Sequence, residues 1–541
     1  QDAVYYAHAG AGELHLRPIL DLKKEKDVSL FRQITTDVAR LVKKYKGSMS
    51  GEHGDGIVRG EFISMMVGEP NYNLMKEVKK TFDPHGIFNP GKIVDAFPMD
   101  KNLRYEVGRS EPKIKTKLDF SDSEGILRAT EKCNGSGDCR KLPEAGGTMC
   151  PSYHATRNEK DTTRARANAL REFLTVSEHK NRFNHKELKE VFDLCLSCKA
   201  CGSECPSNVD VATMKAEFEY QYKKENGSSL RTRSFAYNAK LNSIASYLPG
   251  LTNAVYSNRV TSKWLKKYLH IASERSFPPV SKKSLRSQIK KYKSKNPERP
   301  IKSVYLFIDE FSNYLDAEIG RDAIELLQGL NYEVLFVKHA ESGRSFISKG
   351  FLKQAKKVAI RNVETFKSII TAETPLVGIE PSAILSFRDE YPRFVKDVGA
   401  AKVLAKNCLM IEEFLDNELQ LGNIDSASFT TATQILKIHG HCHQKALSSV
   451  VHTFRLLNLP VNYKPTIIPS GCCGMAGSFG YEEEHYEVSM QVGEQTLFPA
   501  VRKASSETII AASGTSCRHQ IKDGTSRSAM HPISILKEAL I

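Results

Sequence analysis

Apolar and polar residues alternate with two different periods in the first part of the chain. A period of about two residues predicts short strands, and a period of about 3.6 residues predicts amphipathic helices. Over residues 1–98 the pattern predicts a mixture of both: strands at Val4–Ala7, Leu14–Pro18 and Ile57–Arg59, and helices at Ser29–Tyr45 and Tyr72–Thr81. Two loops rich in glycine and histidine interrupt these elements.

The middle of the chain has a different composition. Residues 99–130 are polar and charged, which indicates a linker. Residues 131–230 contain helical stretches such as Arg164–Thr175, and residues 231–300 continue the helical pattern into a basic, proline-containing stretch. We therefore expect a helical domain at 131–230 and a basic helical connector at 231–300.

From residue 301 onward, strands and helices alternate. The first series is strand Ser303–Ile308, helix Ala317–Leu330, strand Glu333–Val337, helix Phe351–Phe366 and strand Pro375–Ile379; the second is strand Gln434–His439, helix Ala446–Leu457, a strand near Val461–Tyr463, helix Glu482–Phe498 and strand Thr508–Ala512. Such alternation favours a parallel sheet. The recurrence after about 120 residues indicates a duplication with units 301–420 and 421–541. The expected fold class is multidomain, α+β followed by α/β.

Composition narrows the class of protein. The 541 residues suggest three or four domains at roughly 150 residues each. With 40% hydrophobic and 26% charged residues, the chain is ordinary for a soluble globular protein. No apolar run reaches the roughly 18 residues of a membrane-spanning helix, and no secretory signal is evident. We therefore expect a cytoplasmic protein.

The twelve cysteines carry the strongest chemical signal. Eleven of them form three tight groups, and only Cys408 stands alone. A secreted disulfide scaffold is usually short and rich in cysteine, unlike this long chain. Thiols grouped at ligand spacing in a long chain without a leader indicate metal or iron–sulfur sites in a reducing compartment.

The second cysteine group matches a ferredoxin motif. Cys195, Cys198, Cys201 and Cys205-Pro206 follow the pattern C-x2-C-x2-C-x3-C-P. In a two-cluster ferredoxin the first three thiolates bind one cluster and the fourth binds the other. A zinc site is the alternative, but this spacing with a following proline favours a 4Fe-4S cluster.

The partner motif is incomplete. Its thiols are Cys133, Cys139 and Cys150-Pro151, and Ser136 stands where the second thiol would be. Crossed ligation would give a complete 4Fe-4S site from Cys150, Cys195, Cys198 and Cys201. The second cluster would have only Cys133, Cys139 and Cys205, so it would be 3Fe-4S, or 4Fe-4S with a ligand other than cysteine.

The third group lies in the second α/β unit and consists of Cys442, Cys472, Cys473 and Cys517. Its segments Gly440–His443, Gly471–Gly474 and Ser513–Cys517 resemble the cysteine-rich CCG module of iron–sulfur oxidoreductases. Four thiolates suffice for one cluster or one zinc ion, and a cluster would extend the ferredoxin relay. Residues 301–420 show the same order of segments with other residues in place of the cysteines, which predicts a structural role for this first repeat.

Two N-terminal segments, residues 8–18 and 50–56, are dense in metal-ligand types. A pair of histidines with a glutamate is a common catalytic metal set. His8 and His15 are seven residues apart, so an unbroken strand would place them on opposite faces. We expect the glycines between them to supply a bulge that brings them together. The alternative is structural histidines on glycine-rich turns.

Together with residues 82–92, these segments resemble the C-terminal part of FAD-linked oxidases of the vanillyl-alcohol oxidase superfamily, such as D-lactate, glycolate and D-2-hydroxyglutarate dehydrogenases. The resemblance implies that His8, His15 and Glu52 hold a divalent metal such as Zn, that His53 is the catalytic base, and that Asn89, Pro90 and Gly91 lie near the flavin. Ala11 and Glu13 stand where many relatives carry Asp and Asn. The family's FAD-cradling loop lies upstream of these motifs, so we expect a fragment or split partner that does not bind FAD tightly alone.

The resemblance implies oxidation of a D-2-hydroxy acid to the 2-oxo acid, with electrons passing through FAD and the clusters to a quinone or a carrier protein. The alternatives are a non-catalytic iron–sulfur electron-transfer subunit and a regulatory metal or redox sensor. Residues 259–302 hold 14 Lys and Arg against two acids, whereas the whole chain has a formal charge of +15. This stretch is either simply solvated or in peripheral contact with the anionic inner face of a membrane. We expect no nucleic-acid partner, because no recognition motif accompanies the charge.

Overall fold

The computed structural model describes residues 2–541, and the chain divides into two compact units, one ending at Pro112 and one beginning at Lys113. The predicted linker 99–130 is therefore divided between them. Leu118 and Phe120 are buried in the second unit, and the Glu217 carboxylate accepts hydrogen bonds from the backbone N–H groups of Lys117 and Leu118.

The first unit consists of a hairpin and three helices: β1 (Ala3–His8), β2 (Glu13–Pro18), α1 (Glu25–Lys44), α2 (Ile63–Val67) and α3 (Glu69–Phe82). Its small core contains Ala39, Phe62 and Met99. Arg32 on α1 donates hydrogen bonds to Glu61 and Asp100, each with a shortest distance of 2.7 Å. These ion pairs attach the helix to the segments that follow the histidine-rich loop.

The strand predicted at Ile57–Arg59 does not form. These residues are a turn, in which the Arg59 N–H donates to the Asp55 carbonyl at 3.1 Å. Gly54 and Gly56 have φ of 71° and 58°, a left-handed conformation that breaks an extended strand. The apolar pair Ile57-Val58 therefore belongs to a loop.

The second unit begins with helices that surround the first two cysteine groups: α4 (Ile126–Glu131), α5 (Pro151–Thr156), α6 (Thr163–Val176), α7 (Lys186–Asp193), α8 (Ala200–Glu204) and α9 (Val211–Asn226). Five more helices precede the first sheet: α10 (Leu230–Ala236), α11 (Asn238–Ala245), α12 (Pro249–Ser257), α13 (Arg259–Tyr268) and α14 (Ile289–Lys293). Helices α5 to α9 lie within the stretch 131–230 that was predicted to be helical, whereas α4 begins in the predicted linker; thiols form part of the buried core between these helices.

The α/β part contains two parallel sheets. The first is built from β3 (Lys302–Phe307), α15 (Glu310–Tyr314), α16 (Ala317–Gly329), β4 (Tyr332–Leu335), α17 (Arg344–Ser348), α18 (Leu352–Phe366), β5 (Leu376–Gly378), α19 (Pro381–Ile384), α20 (Val398–Lys406), β6 (Cys408–Met410) and α21 (Ile411–Gln420). The second is built from β7 (Gln434–His439), α22 (Cys442–Leu447), α23 (Val450–Leu457), β8 (Tyr463–Ile467), α24 (Tyr486–Glu494), α25 (Leu497–Arg502), β9 (Ile509–Ala512), α26 (Thr515–Thr525) and α27 (Pro532–Ala539).

The strand orders of the two sheets correspond. They are β4-β3-β5-β6 and β8-β7-β9, all parallel, so in each sheet the first strand lies between the second and the third. The fourth strand, β6, was not predicted, because three residues are too few for a clear period. Side chains from both sheets, among them Val304, Leu306, Leu436 and Ile438, share one apolar core. Within residues 2–541, no helix combines the length and apolar character needed to cross a bilayer.

A buried acid between the sheets makes stability depend on pH. Burial raises the pKa of Glu412 from 4.5 to about 7, and Ser513 Oγ donates to its carboxylate at 2.6 Å. The native protein therefore keeps this proton over a range in which the unfolded chain loses it, so stability falls as pH rises from 4.5 to 7. Because one pKa unit corresponds to about 1.4 kcal/mol, the ionised form costs about 3 kcal/mol.

We expect Glu412→Gln to raise the free energy of unfolding by about 3 kcal/mol at pH 8 and to change it little at pH 4.5. Denaturant unfolding of the variant and of the unaltered protein at both pH values measures the change in the free energy of unfolding. Because only residue 412 differs between the two proteins, the other buried acids contribute equally to both and cancel. An equal effect at both pH values would contradict the raised pKa.

Candidate functional site

The N-terminal histidines and glutamates converge in the first unit. The possible ligand atoms of His8, His15 and His53 lie within 4.8 Å of one another, as do those of His8, Glu13 and Glu52. His8 Nδ1 is 2.5 Å from Glu52 Oε1, and His53 Nε2 is 3.5 Å from the same oxygen. Imidazole and carboxylate groups at this spacing fit a divalent transition metal.

The hairpin, and not a bulge, brings His8 and His15 together. In β1 and β2, Tyr6 is paired with His15, and His8 with Glu13. His8 lies two residues beyond Tyr6 on the same face, so it is diagonal to His15. His8 Nε2 is 3.3 Å from His15 Nδ1. The turn at residues 9–12 reverses the chain, so the expectation of a bulge was wrong.

Glu13 is a member of this group whose role the sequence left in doubt. Its carboxylate accepts a hydrogen bond from the Gly51 N–H at 3.2 Å, which links the hairpin to the loop that carries Glu52 and His53. Glu13 therefore positions the second half of the site.

Asn89, Pro90 and Gly91 lie in a loop that Asp83 shapes. The carboxylate of Asp83 accepts hydrogen bonds from the N–H groups of Ile87 and Phe88 at 2.8 and 2.9 Å. Gly91 has φ of 72°, and a Cβ atom there would lie 2.1 Å from the Phe97 ring. Only glycine fits this position.

The four thiols of the ferredoxin motif lie in and beside α8 in the second unit. Cys198 and Cys201 are buried, and Cys195 and Cys205 are half-buried. Ser197 and Lys199 have φ of 51° and 65°, so the backbone turns between successive thiols. Burial, together with the neighbouring Cys442 thiol, raises the pKa of the Cys198 thiol. Such buried, closely spaced thiols suit iron, which binds them as thiolates.

The incomplete motif lies against the start of α6. Cys133, Cys139 and Cys150 are all buried. Cys150 Sγ lies 2.9 Å from both the N–H and the hydroxyl of Thr163. A hydrogen bond with Cys150 lowers the pKa of Cys139 to about 6. These two thiols, predicted to serve different clusters, therefore lie side by side.

The third cysteine group converges from three separate segments: the start of α22, the loop that contains Cys472 and Cys473, and the first turn of α26. A hydrogen bond from Cys472 lowers the pKa of Cys442 to about 6, and hydrogen bonds with Cys472 and Cys517 lower the pKa of Cys473. The side chains of Cys473 and Cys517, with that of His439, form a possible three-ligand set within 4.8 Å. Gly474, at φ 95°, leaves no room for a Cβ, which would lie 2.1 Å from the Ser489 carbonyl oxygen.

This third group adjoins the ferredoxin motif. His443 Nε2 donates to the Ser197 carbonyl at 3.1 Å, across 246 positions of sequence. Cys442 and Cys472 belong to the same buried core as Cys198. The two thiol groups are therefore neighbours within one unit, an arrangement suited to electron transfer between them.

Two lysines, the buried Lys199 and the half-buried Lys445, accompany the thiols, and sequence patterns gave no sign of either. Lys199 forms an ion pair with Glu390 at 2.5 Å and another with Asp389. Burial alone would lower the pKa of Lys199, but the two carboxylates outweigh it and raise it. Lys445 donates to the Gly471 carbonyl at 2.7 Å and lies beside the third cysteine group. Lys445 therefore places positive charge next to thiols that would be negative when ligating iron.

The first α/β unit has carboxylates at the corresponding positions. Glu310, which begins the helix after β3 as Cys442 does after β7, accepts hydrogen bonds from Ser342 N and Oγ, both at 2.8 Å. Burial and the nearby Glu341 raise the pKa of Glu310 to about 7. Hydrogen bonds between Glu310 and Ser342 thus join two segments of the first α/β repeat, and cysteines occupy the corresponding two segments of the second repeat.

Two family models match the chain. Residues 1–93 match the C-terminal domain of FAD linked oxidases, and residues 132–210 match a 4Fe-4S dicluster domain. The chain carries both of these domains. The oxidase domain contains the histidine and glutamate group, and the dicluster domain contains the first two cysteine groups, so the resemblance inferred from the motifs is confirmed.

Curated relatives match over nearly the whole chain. D-2-hydroxyglutarate dehydrogenases of Escherichia coli K12 and Haemophilus influenzae are 27% and 28% identical over 587 and 589 residues, in each case 99% of this chain and 56% of the relative. The chain thus spans about half the length of these relatives. One subunit of the anaerobic glycerol-3-phosphate dehydrogenase of Escherichia coli K12 is 26% identical over 58% of this chain and 78% of its own length. No solved structure matches significantly.

Proposed function

We propose that the protein takes part in oxidising a D-2-hydroxy acid to the 2-oxo acid and passes the electrons from FAD through iron–sulfur clusters to an acceptor such as a quinone. The names of the relatives favour 2-hydroxyglutarate over lactate or glycolate as the acid. When bound, the flavin supplies a two-electron acceptor and the clusters supply one-electron carriers.

In the oxidase domain, the proposal assigns His8, His15 and Glu52 to a divalent metal and His53 to proton transfer. His53 is exposed and is 3.5 Å from Glu52, so it is accessible to a substrate at the metal. A neutral imidazole there would take the proton of the substrate hydroxyl. Asn89, Pro90 and Gly91 would lie near the flavin.

The observation that carries the electron-transfer part is the contact between the ferredoxin motif and the third cysteine group through His443 and Ser197. We assign Cys150, Cys195, Cys198 and Cys201 to one cluster, and Cys133, Cys139 and Cys205 to a second. We assign Cys442, Cys472, Cys473 and Cys517 to a third cluster in a duplicated CCG module, with zinc as the alternative occupant. The corresponding strand order of the two sheets supports the duplication.

A second candidate is an iron–sulfur electron-transfer subunit without catalytic activity. The match to one subunit of a glycerol-3-phosphate dehydrogenase over 58% of this chain favours it. The convergence of His8, His15, His53 and Glu52 favours the catalytic proposal, because a subunit that only transfers electrons has no need for such a group.

Dye-linked oxidation tests the catalytic proposal. The flavin-loaded protein is expected to reduce a water-soluble dye when D-2-hydroxyglutarate is the electron donor, and not when the L enantiomer is. Absence of dye reduction with D-2-hydroxyglutarate, D-lactate and glycolate, in protein that retains flavin and iron, would favour the electron-transfer subunit.

The thiol sets predict distinct clusters. Electron paramagnetic resonance of anaerobically purified protein should show one cluster with four cysteine ligands and a second, three-cysteine cluster with a different signal. Iron and acid-labile sulfide analysis gives the totals. Two identical all-cysteine cubanes would contradict the assignment, and zinc in place of iron would contradict the relay as a whole.

A further inference from the structure

Helices α10 to α13 expose an unusual amount of apolar surface. Tyr247 is 82% exposed, Val260 75% and Trp264 66%. Other apolar side chains on these helices and their connections are also more than 45% exposed: Leu230, Leu241, Ile244, Leu248, Leu251 and Tyr268. We call residues 230–270 the α10–α13 face. Exposed apolar side chains concentrated in one stretch of a protein are a mark of an interaction site.

The charge of the same face is one-sided. Residues 230–270 contain seven Lys and Arg and neither Asp nor Glu. Arg231 is paired with Glu484, whereas Lys263 and Lys267 are exposed beside Trp264 on α13. Apolar and aromatic side chains surrounded by basic residues are typical of helices that lie in the interface of an anionic membrane.

The α10–α13 face also forms one wall of a cavity with a volume of about 1490 Å³. Leu241, Ile244 and Leu265 contribute to this wall. Cys442, Cys472 and Cys473 line the same cavity. The cavity therefore extends from the α10–α13 face to the third cysteine group.

We propose that the α10–α13 face binds the surface of an anionic bilayer and that the cavity admits a lipid-borne quinone to the third cysteine group. This inference rests on the proposed function, because the electrons must come from the hydroxy acid. Each oxidised molecule of acid releases two electrons and two protons, and the quinone takes up both pairs to become a quinol. A cavity this large accommodates a quinone ring and part of its apolar tail.

Trp264 provides a direct test of membrane binding, because it is the single tryptophan of the chain. On addition of vesicles of phosphatidylglycerol, its emission should shift to shorter wavelength and the protein should sediment with the vesicles. Phosphatidylcholine vesicles should bind at least tenfold more weakly, and high salt should weaken binding to the anionic vesicles. Equal affinity for both vesicles, or no binding, would overturn the proposal.

A double variant, Leu248→Glu with Leu251→Glu, should reduce vesicle binding at least tenfold. Both side chains are more than 60% exposed, so the fold and the iron content should not change. Leu421→Glu is the matched control, since Leu421 is 68% exposed on another helix end, and it should bind as the unaltered protein does. Sedimentation velocity without lipid checks for a second copy: a dimer that the double variant dissociates would overturn the membrane assignment.

Quinone reduction separates this proposal from the proposed function. In vesicles that contain ubiquinone, the double variant of the natural protein should lose most quinol formation but keep dye reduction with the hydroxy acid. Quinol formation equal to that of the unaltered protein would overturn the docking proposal alone. If the unaltered protein does not reduce the dye with the hydroxy acid, the proposed function is overturned instead.

Discussion

Replacing His53 by alanine is expected to lower the rate of hydroxy-acid oxidation by about 10²- to 10⁴-fold, the range that a general base contributes. His53 lies at the exposed side of the histidine and glutamate group, with its Nε2 atom 3.5 Å from Glu52. Dye-linked turnover of the natural protein measures the loss. Iron content should not change, because the clusters belong to the second unit.

Metal analysis distinguishes two roles for His53, because its ring also lies within ligand distance of His8 and His15. If His53 acts as a base, the alanine variant should keep its divalent metal, and added imidazole should restore part of the activity. His8→Ala should lose the metal. Near-normal turnover of the His53 variant would remove it as the base, and loss of metal would make it a ligand.

Replacing Cys198 by alanine is expected to remove the four-cysteine cluster and to lower reduction of the final acceptor at least 100-fold. Cys198 is buried in the core that also holds Cys442, so in the proposed relay its loss would interrupt electron transfer next to the third cysteine group. Electron paramagnetic resonance and iron analysis show the lost cluster. A dye that takes electrons directly from the flavin should still be reduced.

Cys408→Ala is the matched control for this variant. Cys408 is fully buried but lies on β6, outside the three cysteine groups. Its replacement removes a buried thiol, as Cys198→Ala does. Because Cys408 is not assigned to a cluster, iron content and reduction of the acceptor should not change. If Cys408→Ala loses as much iron as Cys198→Ala, the losses reflect unfolding and the cluster assignment is unsupported.

Local patterns were sufficient to recognise the oxidase domain, the dicluster domain and the parallel sheets. The spacing of Cys195, Cys198 and Cys201 indicated a ferredoxin motif, and a dicluster domain model matches this segment. The alternation of strands and helices predicted parallel sheets, which the structure has. Such patterns are local because they depend on backbone period and on ligand spacing along the chain.

Contacts between distant segments could not be predicted in this way. The hairpin register that places His8 diagonal to His15, the pairing of Lys199 with Asp389 and Glu390, and the contact of His443 with Ser197 each depend on tertiary packing. The strand expected at Ile57–Arg59 failed for a related reason: glycines of positive φ turned an apolar pair into a loop.

The sequence by itself determined which side chains are available for chemistry: thiols in three groups, histidines with glutamates, and a basic stretch with few acids. Only the tertiary structure decided which of them meet, and that the helices of residues 230–270 expose apolar side chains at the wall of a cavity lined by thiols. The reason is physical. Ligand spacing and backbone period are properties of neighbouring residues, whereas burial and proximity arise only when the whole chain packs.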